Sequence, residues 1–345
     1  MQVIEWSGLS AEARKRALAR PESRQAESVT GLVENVFAAV AAEGDRAVAR
    51  YAEEFDKLAP RRLELTDAVI TEARASVEDE DYQAIMAAAT NVRAFHEAEV
   101  SGAYETQIAP GIDCARVMRP LATAGLYVPG GTAPLFSTLL MLAIPARIAG
   151  VQNVIVCTPP DRDGNINPFI ILAANICEID AIYLVGGAQA IAALSIGTEM
   201  IPKADIIAGP GNAYVTAAKA YAAALPNGPV IDMPAGPSEL MVVADETADP
   251  AVIAADLLSQ AEHDTDAQVV FVTTDARLIE AAGLAVEEQL SALPRQKIAR
   301  QSLAHGKAIL VQSIPEVIEV INAYAPEHLS LNIQDAEQFV PQVRT

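Results

Sequence analysis

The sequence predicts an α/β protein built from two parallel-sheet domains behind a helical N-terminal stretch. Three observations lead there. Beyond Gly125, short apolar runs alternate with helical patterns, the signature of successive βα units and therefore of parallel strands. Before it, from Leu9 to about Ala103, the periodicity is helical throughout. Hydrophobic residues make up 51% of 345 residues but aromatics only 5%, which suits Ala-rich helices packed closely on sheets, over a length sufficient for two domains.

In the N-terminal stretch Leu32, Val36 and Val40 recur at turn spacing with charges on the other face. Two further helices are expected at Asp67–Ser76 and Glu80–Val100. The greasiest run, Leu135–Ala149, contains Pro145 and Arg147, is too short to span a bilayer and reads as a buried helix. In the first βα series strands are expected at Asn153–Thr158, Ala181–Gly186, Asp205–Ala208 and Val230–Met233. Helices lie between them at Pro168–Cys177, Ala188–Ile196 and Ala213–Ala224. A second series begins after Pro237, with strands at Leu240–Ala244, Gln268–Thr273, Lys307–Gln312 and Leu329–Asn332. Its helices are Ala251–His263, Asp275–Leu293, Ile314–Tyr324 and a final one at Asp335–Val343. Ligands are expected in a crevice at the carboxyl ends of the strands.

A formal net charge of −21 repels phosphate backbones and argues against nucleic-acid binding. Any dinucleotide must be held by backbone N–H groups and helix dipoles. The first ten residues lack the basic-then-apolar pattern of a signal peptide. Three cysteines, Cys114, Cys157 and Cys177, form no C-x-x-C pair and read as reduced core thiols of a cytoplasmic protein.

Five segments can carry chemistry. Gly209-Pro-Gly-Asn-Ala-Tyr214 follows a strand and opens a helix, where glycines let backbone approach a phosphate. It lacks the third glycine of the dinucleotide fingerprint, and a plain strand-to-helix turn explains it equally well. In Val185-Gly-Gly-Ala-Gln-Ala190, Gln189 can bond an amide or a ribose, or cap its own helix. Tyr127, within Gly125–Gly131, can stack on a ring or simply pack. In Leu258-Ser-Gln-Ala-Glu-His-Asp264, Gln260 and His263 stand i, i+3 on one helix face and can reach one metal ion, or His263 can complement the helix dipole. Glu327 and His328, adjacent in Ala325-Pro-Glu-His-Leu329, pair a carboxylate with a group that titrates near neutrality. Ser238, in Met233-Pro-Ala-Gly-Pro-Ser-Glu239, offers a hydroxyl from what is otherwise a stiff connection. His96 and His305 look like surface residues.

Taken in order, these segments resemble the histidinol dehydrogenase family: GLYVPGG at 125–131, VGGAQAIAAL at 185–194, GPGNAYV at 209–215, PAGPSE at 234–239, LLSQAEHD at 257–264 and APEHL at 325–329. The resemblance spans essentially the whole chain. It implies two Rossmann-like domains, here expected at 127–238 for the nucleotide and at 23–126 plus 239–345 for metal and acid/base residues, with a helical tail at 1–22. It implies NAD on Tyr127, Gln189 and Asn212, and zinc on Gln260 and His263. Substrate is implied at Ser238, Gln260, His263 and His328, with Glu327 and His328 as the acid/base pair. The implied reaction is two successive NAD-dependent oxidations of L-histidinol through the aldehyde to L-histidine, by a cytoplasmic homodimer. Two neighbouring readings share the motifs: a paralogous dehydrogenase of another small polar alcohol, and a non-catalytic relative that keeps the fold. The family pattern continues past the position of Thr345 with an Asp and a His as further zinc ligands, so the chain as given is expected to hold zinc poorly and not to turn histidinol over.

Overall fold

The structure, a computed structural model, describes residues 1–20, 26–100, 102–130, 135–233 and 238–344. In chain order its strands are β1 (Gln2–Glu5), β2 (Arg61–Glu64), β3 (Tyr104–Ala109), β4 (Ile112–Arg116), β5 (Thr123–Tyr127), β6 (Asn153–Thr158), β7 (Ala181–Leu184), β8 (Ile206–Ala208), β9 (Val230–Ile231), β10 (Glu239–Ala244), β11 (Gln268–Thr273), β12 (Lys307–Leu310) and β13 (His328–Asn332). The helices are α1 (Ala11–Leu18), α2 (Ala26–Glu43), α3 (Asp45–Phe55), α4 (Asp67–Ala75), α5 (Asp79–Glu99), α6 (Phe136–Ile148), α7 (Pro168–Ile176), α8 (Gly187–Ile196), α9 (Ala213–Ala224), α10 (Pro250–Ala261), α11 (Ala276–Leu290), α12 (Gln296–His305) and α13 (Ile314–Tyr324). The expected α/β architecture with parallel sheets is what the chain adopts.

The chain forms two compact units, Arg24–Ala235 and, from its two ends, Met1–Ser23 with Gly236–Thr345. This corrects the expected boundaries in two ways. Residues 24–126 pack with 127–235, not with 239–345, because β2 pairs antiparallel with β7 and helices α2 and α5 cover the same sheet. The first 22 residues are not a helical tail alone. Strand β1 pairs in parallel with β12, Gln2 opposite Lys307, and makes the edge of the other sheet.

In the unit 24–235 the sheet runs β2-β7-β6-β5-β8-β9. Its central strands β5, β6 and β7 are largely buried on both faces, and their side chains divide at period two. Tyr127, Ile155, Cys157 and Tyr183 face one core with Val36, Val48, Ile191 and Val215. Leu126, Val156, Ile182 and Leu184 face the other with Ile85, Leu140, Ile144 and Ile170. Each such side chain contributes roughly 1.5–3 kcal/mol on burial. From β5 the chain moves outward through β6 to β7, then returns to the opposite side of β5 to lay down β8 and β9. The reversal puts a switch point between the carboxyl ends of β5 and β8, where sheets of this kind hold ligands.

The second unit has five parallel strands in the order β1-β12-β11-β10-β13. Alternation again divides the core. Val242, Val269, Phe271 and Ala308 pack with α10, α11 and α12. Met241, Val270, Val272 and Ile309 pack with Trp6, Leu18 and α13. Helix α10 starts where Asp249-Pro250 predicts, with the Asp249 carboxylate accepting from Ala251 N at 2.8 Å.

Several expectations fail locally. The predicted helical stretch up to Ala103 is interrupted by β2, and the β3–β4 hairpin and α12 also lie where no element was expected. Four-residue edge strands carry too few residues for a period to show. The predicted final helix is two 3₁₀ turns, Ala336–Gln338 and Val340–Gln342, because Pro341 has no N–H to continue an α-helix. Cys114 is exposed on the hairpin, while Cys157 and Cys177 are buried thiols. His305 is exposed as expected, whereas His96 is half-buried and bonds Glu99 Oε2 at 2.9 Å.

Candidate functional site

The candidate residues fall in two places, one on each unit. On the unit 24–235 the carboxyl ends of β5, β6, β7 and β8 carry Tyr127, Thr158, the turn before Gln189 and the turn before Asn212. Gly209 has φ +130°, and a methyl group there would stand 2.1 Å from the Tyr127 carbonyl oxygen. Only glycine allows β8 to turn this closely over the end of β5. The turn is gripped on both sides. Gly209 N–H donates to Asp232 Oδ2 at 2.8 Å, and the buried Lys219 ammonium donates to Gly209 O at 2.7 Å. Lys219 also pairs with Asp232. Asn212 is exposed and caps α9, its Oδ1 accepting from Tyr214 N and Val215 N at 3.1 Å each.

At the neighbouring turn, Gly187 has φ +66° and its N–H donates to the Tyr127 hydroxyl at 3.1 Å. Burial pushes that phenol up to about 12. Tyr127 is therefore a buried brace of the α8 N-terminus, not an open stacking platform. Gln189 does not cap its own helix. Its Nε2 donates to Asp56 Oδ2 at 3.4 Å, and its Oε1 is buried without a partner among the described residues. The Thr158 hydroxyl is likewise buried and unpartnered among them. Burial raises the Asp56 carboxyl above the usual range, against the hydrogen bonds from Gly186 N–H and Gln189 that favour its ionised form. A buried unpartnered acceptor costs about 1–3 kcal/mol, and two at one sheet edge mark a place built to meet something else.

The second group lies at the opposite kind of edge. Ser238, Glu327 and His328 precede or begin β10 and β13, and β10 and β13 run in parallel with Leu240 opposite His328. Helix α10 runs back against β10, so Gln260 and His263 come at that same end, ahead of β11. These residues thus gather at the amino edge of the sheet, and the expectation that they sit at carboxyl ends is wrong for this unit. Glu327 and His263 come from αβ loops, Gln260 from the last turn of α10, His328 from the first position of β13 and Ser238 from directly before β10.

At this edge Glu327 Oε2 accepts from Glu239 N at 3.1 Å, and Glu327 Oε1 stands 3.9 Å from His328 Nε2. Both side chains are accessible, 40% and 61% exposed, as groups that exchange protons with a reactant must be. The Ser238 carbonyl accepts from Gln268 N at 3.0 Å. Gln260 is buried and its Nε2 has no partner among the described residues, while His263 is exposed just past the helix end. The His263 carbonyl accepts from the Arg295 guanidinium at 3.2 Å. Among the described residues no three His, Cys, Asp or Glu side chains gather as a metal centre. Gly131 and residues 234–237 of the quoted motifs lie outside the described residues.

Sequence reasoning missed Asp56, Lys219, Asp232, Arg20 and Glu239. Only Lys219 left a trace, as the single charge in the helix AYVTAAKAYAAA.

The histidinol dehydrogenase family model matches residues 18–345. The chain belongs to the histidinol dehydrogenase family. The histidinol dehydrogenase of Mannheimia succiniciproducens is 44% identical over 343 residues, covering 99% of this chain and 79% of its own length. That of Pectobacterium atrosepticum is 44% identical over 341 residues, covering 99% and 76%. A crystal structure of the histidinol dehydrogenase from Elizabethkingia anophelis superimposes with a TM-score of 0.94 at 45% identity, covering all of this chain and 78% of that one. Histidinol dehydrogenase is an enzyme of histidine biosynthesis, a dehydrogenase acting on histidinol in its last step, and so acts on a small molecule. Among the described residues no helix is long and apolar enough to cross a membrane.

Proposed function

We propose that this enzyme oxidises L-histidinol to L-histidine in two hydride transfers to NAD, with a zinc ion orienting the substrate, as a cytoplasmic homodimer. The single observation that carries the chemistry is the accessible Glu327–His328 pair at the amino edge of β10 and β13. The homodimer and the location rest on the family resemblance.

NAD fits the carboxyl edge of the unit 24–235. The supporting observations are the glycine cradle at Gly209, the unpartnered Gln189 Oε1 and the N-terminus of α8, which has no side-chain cap. Asn212 offers its amide from the α9 cap, and Tyr127 keeps the neighbouring turn in shape. For zinc the donors present are an amide on the buried Gln260 and the accessible imidazole of His263. The unpartnered amide end of Gln260 is consistent with a ligand there, since amide O and N are assigned from their partners. Two neutral donors are fewer than the three or four protein ligands of a protein zinc site. When bound, NAD supplies the hydride acceptor and zinc an electrophilic anchor for the substrate.

The chain's own residues handle protons and water. His328 takes the hydroxyl proton as hydride leaves carbon, which gives the aldehyde. Hydride leaves only from a tetrahedral carbon, so water must add to the aldehyde before the second transfer. Glu327, whose Oε2 is steadied by Glu239 N and whose Oε1 faces His328, deprotonates that water. The hydrate then loses a second hydride and a proton to give the carboxylic acid. Ser238 contacts substrate beside this pair.

The test separates the two steps. In a chain with the family's complete set of zinc ligands, His328→Asn is expected to lower kcat from histidinol by roughly 10²- to 10⁴-fold with little change in substrate affinity. Glu327→Gln is expected to slow the oxidation of supplied aldehyde more than that of the alcohol. Equal loss in both half-reactions assigns Glu327 a general structural role instead.

A further inference from the structure

We propose that Arg20 is a positioning residue of the active site, holding the loop that presents Glu327 and His328 against the first residue of β10. The proposal rests on the acid/base reading of that pair. Its observation is a hydrogen-bonded chain between parts of the sequence some three hundred residues apart. Arg20 Nε and one terminal nitrogen grip both Glu239 carboxylate oxygens, at 2.5 and 2.7 Å. That terminal nitrogen also donates to the carbonyls of Tyr324 and Ala325, at 2.9 and 3.1 Å. The guanidinium lies over the Tyr324 ring, 4.6 Å from its centre.

Each contact does separate work. Ala325 ends α13 in the left-handed region, at φ 52°, which is strained for a residue with a Cβ. The guanidinium holds the carbonyls on either side of that bend. Glu239 has its carboxylate on Arg20 and its N–H on Glu327 Oε2 at 3.1 Å, so it links the clamp to the reacting carboxylate. The Glu239 side chain is 9% exposed and needs a cationic partner, whereas Arg20 is 48% exposed. A lysine in its place would keep the charge but lose the planar fork that meets two carboxylate oxygens and two carbonyls together. Arg20 itself touches none of the reacting atoms, so its effect passes through the Glu239 N–H to Glu327 Oε2.

Misplacing a catalytic group by about 1 Å costs up to about 10²-fold in rate. In a purified, metal-loaded enzyme that carries the family's full set of zinc ligands, Arg20→Lys is expected to lower kcat by roughly 10- to 100-fold, with KM for NAD and the melting temperature nearly unchanged. The double variant Arg20→Lys/Glu327→Gln is expected to be no slower than Glu327→Gln alone, because two residues acting in series do not add. Arg20→Lys with kcat within about threefold of the parent overturns the proposal, and so do multiplicative losses in the double variant. If Glu327→Gln and His328→Asn both run at the parent rate, the reading beneath the proposal fails and takes it along. Slow Glu327→Gln beside fast Arg20→Lys refutes the positioning role alone. Should Arg20→Lys lose its fold by circular dichroism, Glu239→Gln carries the same comparison, since it weakens the same link from the other side.

Discussion

Replacing Gly209 by alanine probes the turn from β8 into α9, at the proposed NAD site. The residue has φ +130°, and the added methyl would meet the Tyr127 carbonyl oxygen at 2.1 Å and its carbonyl carbon at 3.0 Å. Both are backbone atoms of β5, so no side chain can swing aside. Rotating the peptide is also blocked, because Gly209 N–H is held by Asp232 and Gly209 O by the buried Lys219. A sparsely populated backbone conformation costs about 1–3 kcal/mol, and forcing extra volume into packed surroundings about 1–3 kcal/mol more. The sum, about 2–6 kcal/mol, corresponds to a fall in melting temperature of roughly 5–20 °C for a unit of this size. Calorimetric titration with NAD should show affinity reduced at least tenfold even below the melting transition, since the β5–β8 switch point itself is displaced. Gly283→Ala is the control. That residue lies inside α11, and a methyl group added there would have no atom within 4 Å, so the change should stabilise by about 0.5–1 kcal/mol and leave NAD binding alone. A Gly209→Ala variant that melts within about 2 °C of the parent and binds NAD normally would refute the reasoning.

Two other perturbations test the same unit. Lys219→Met should lower stability in urea by about 3 kcal/mol, the lower end for breaking a buried pair because the Asp232 side chain is 30% exposed; unchanged denaturation midpoints would show that the pair holds nothing. Burial raises the folded pKa of Asp56 against its hydrogen bonds from Gly186 and Gln189. Its protonated form therefore favours folding, fully so below the unfolded value of about 3.9, and that contribution is lost as pH rises through the higher folded value. Asp56→Asn should accordingly match the parent in acid and melt higher than it at neutral pH, and thermal melts across pH that show the reverse order would contradict this.

From Asn153 onward the order of elements, α12 apart, was legible from the residues. Strands such as Gln268–Thr273 and helices such as Ala213–Ala224 announce themselves through unbroken apolar runs, period 3.6 and caps, all of which are local properties. The six motifs named the family and the candidate residues for the same reason, since each lies within ten consecutive positions. The sequence could not say on which edge of the sheet these residues gather. That depends on where α10 ends and on β13 returning beside β10, so Glu327 and His328 stand at the amino edge instead of the carboxyl one. Neither could it find β1, which becomes a strand only because β12 offers it a partner. The clamps that shape both places were equally hidden. Arg20 meets Glu239 across 219 positions and Asp56 meets Gln189 across 133. Hydrogen bonds at such separation leave no periodic mark on the chain, because the groups become neighbours only after the core has closed and water has been excluded around them.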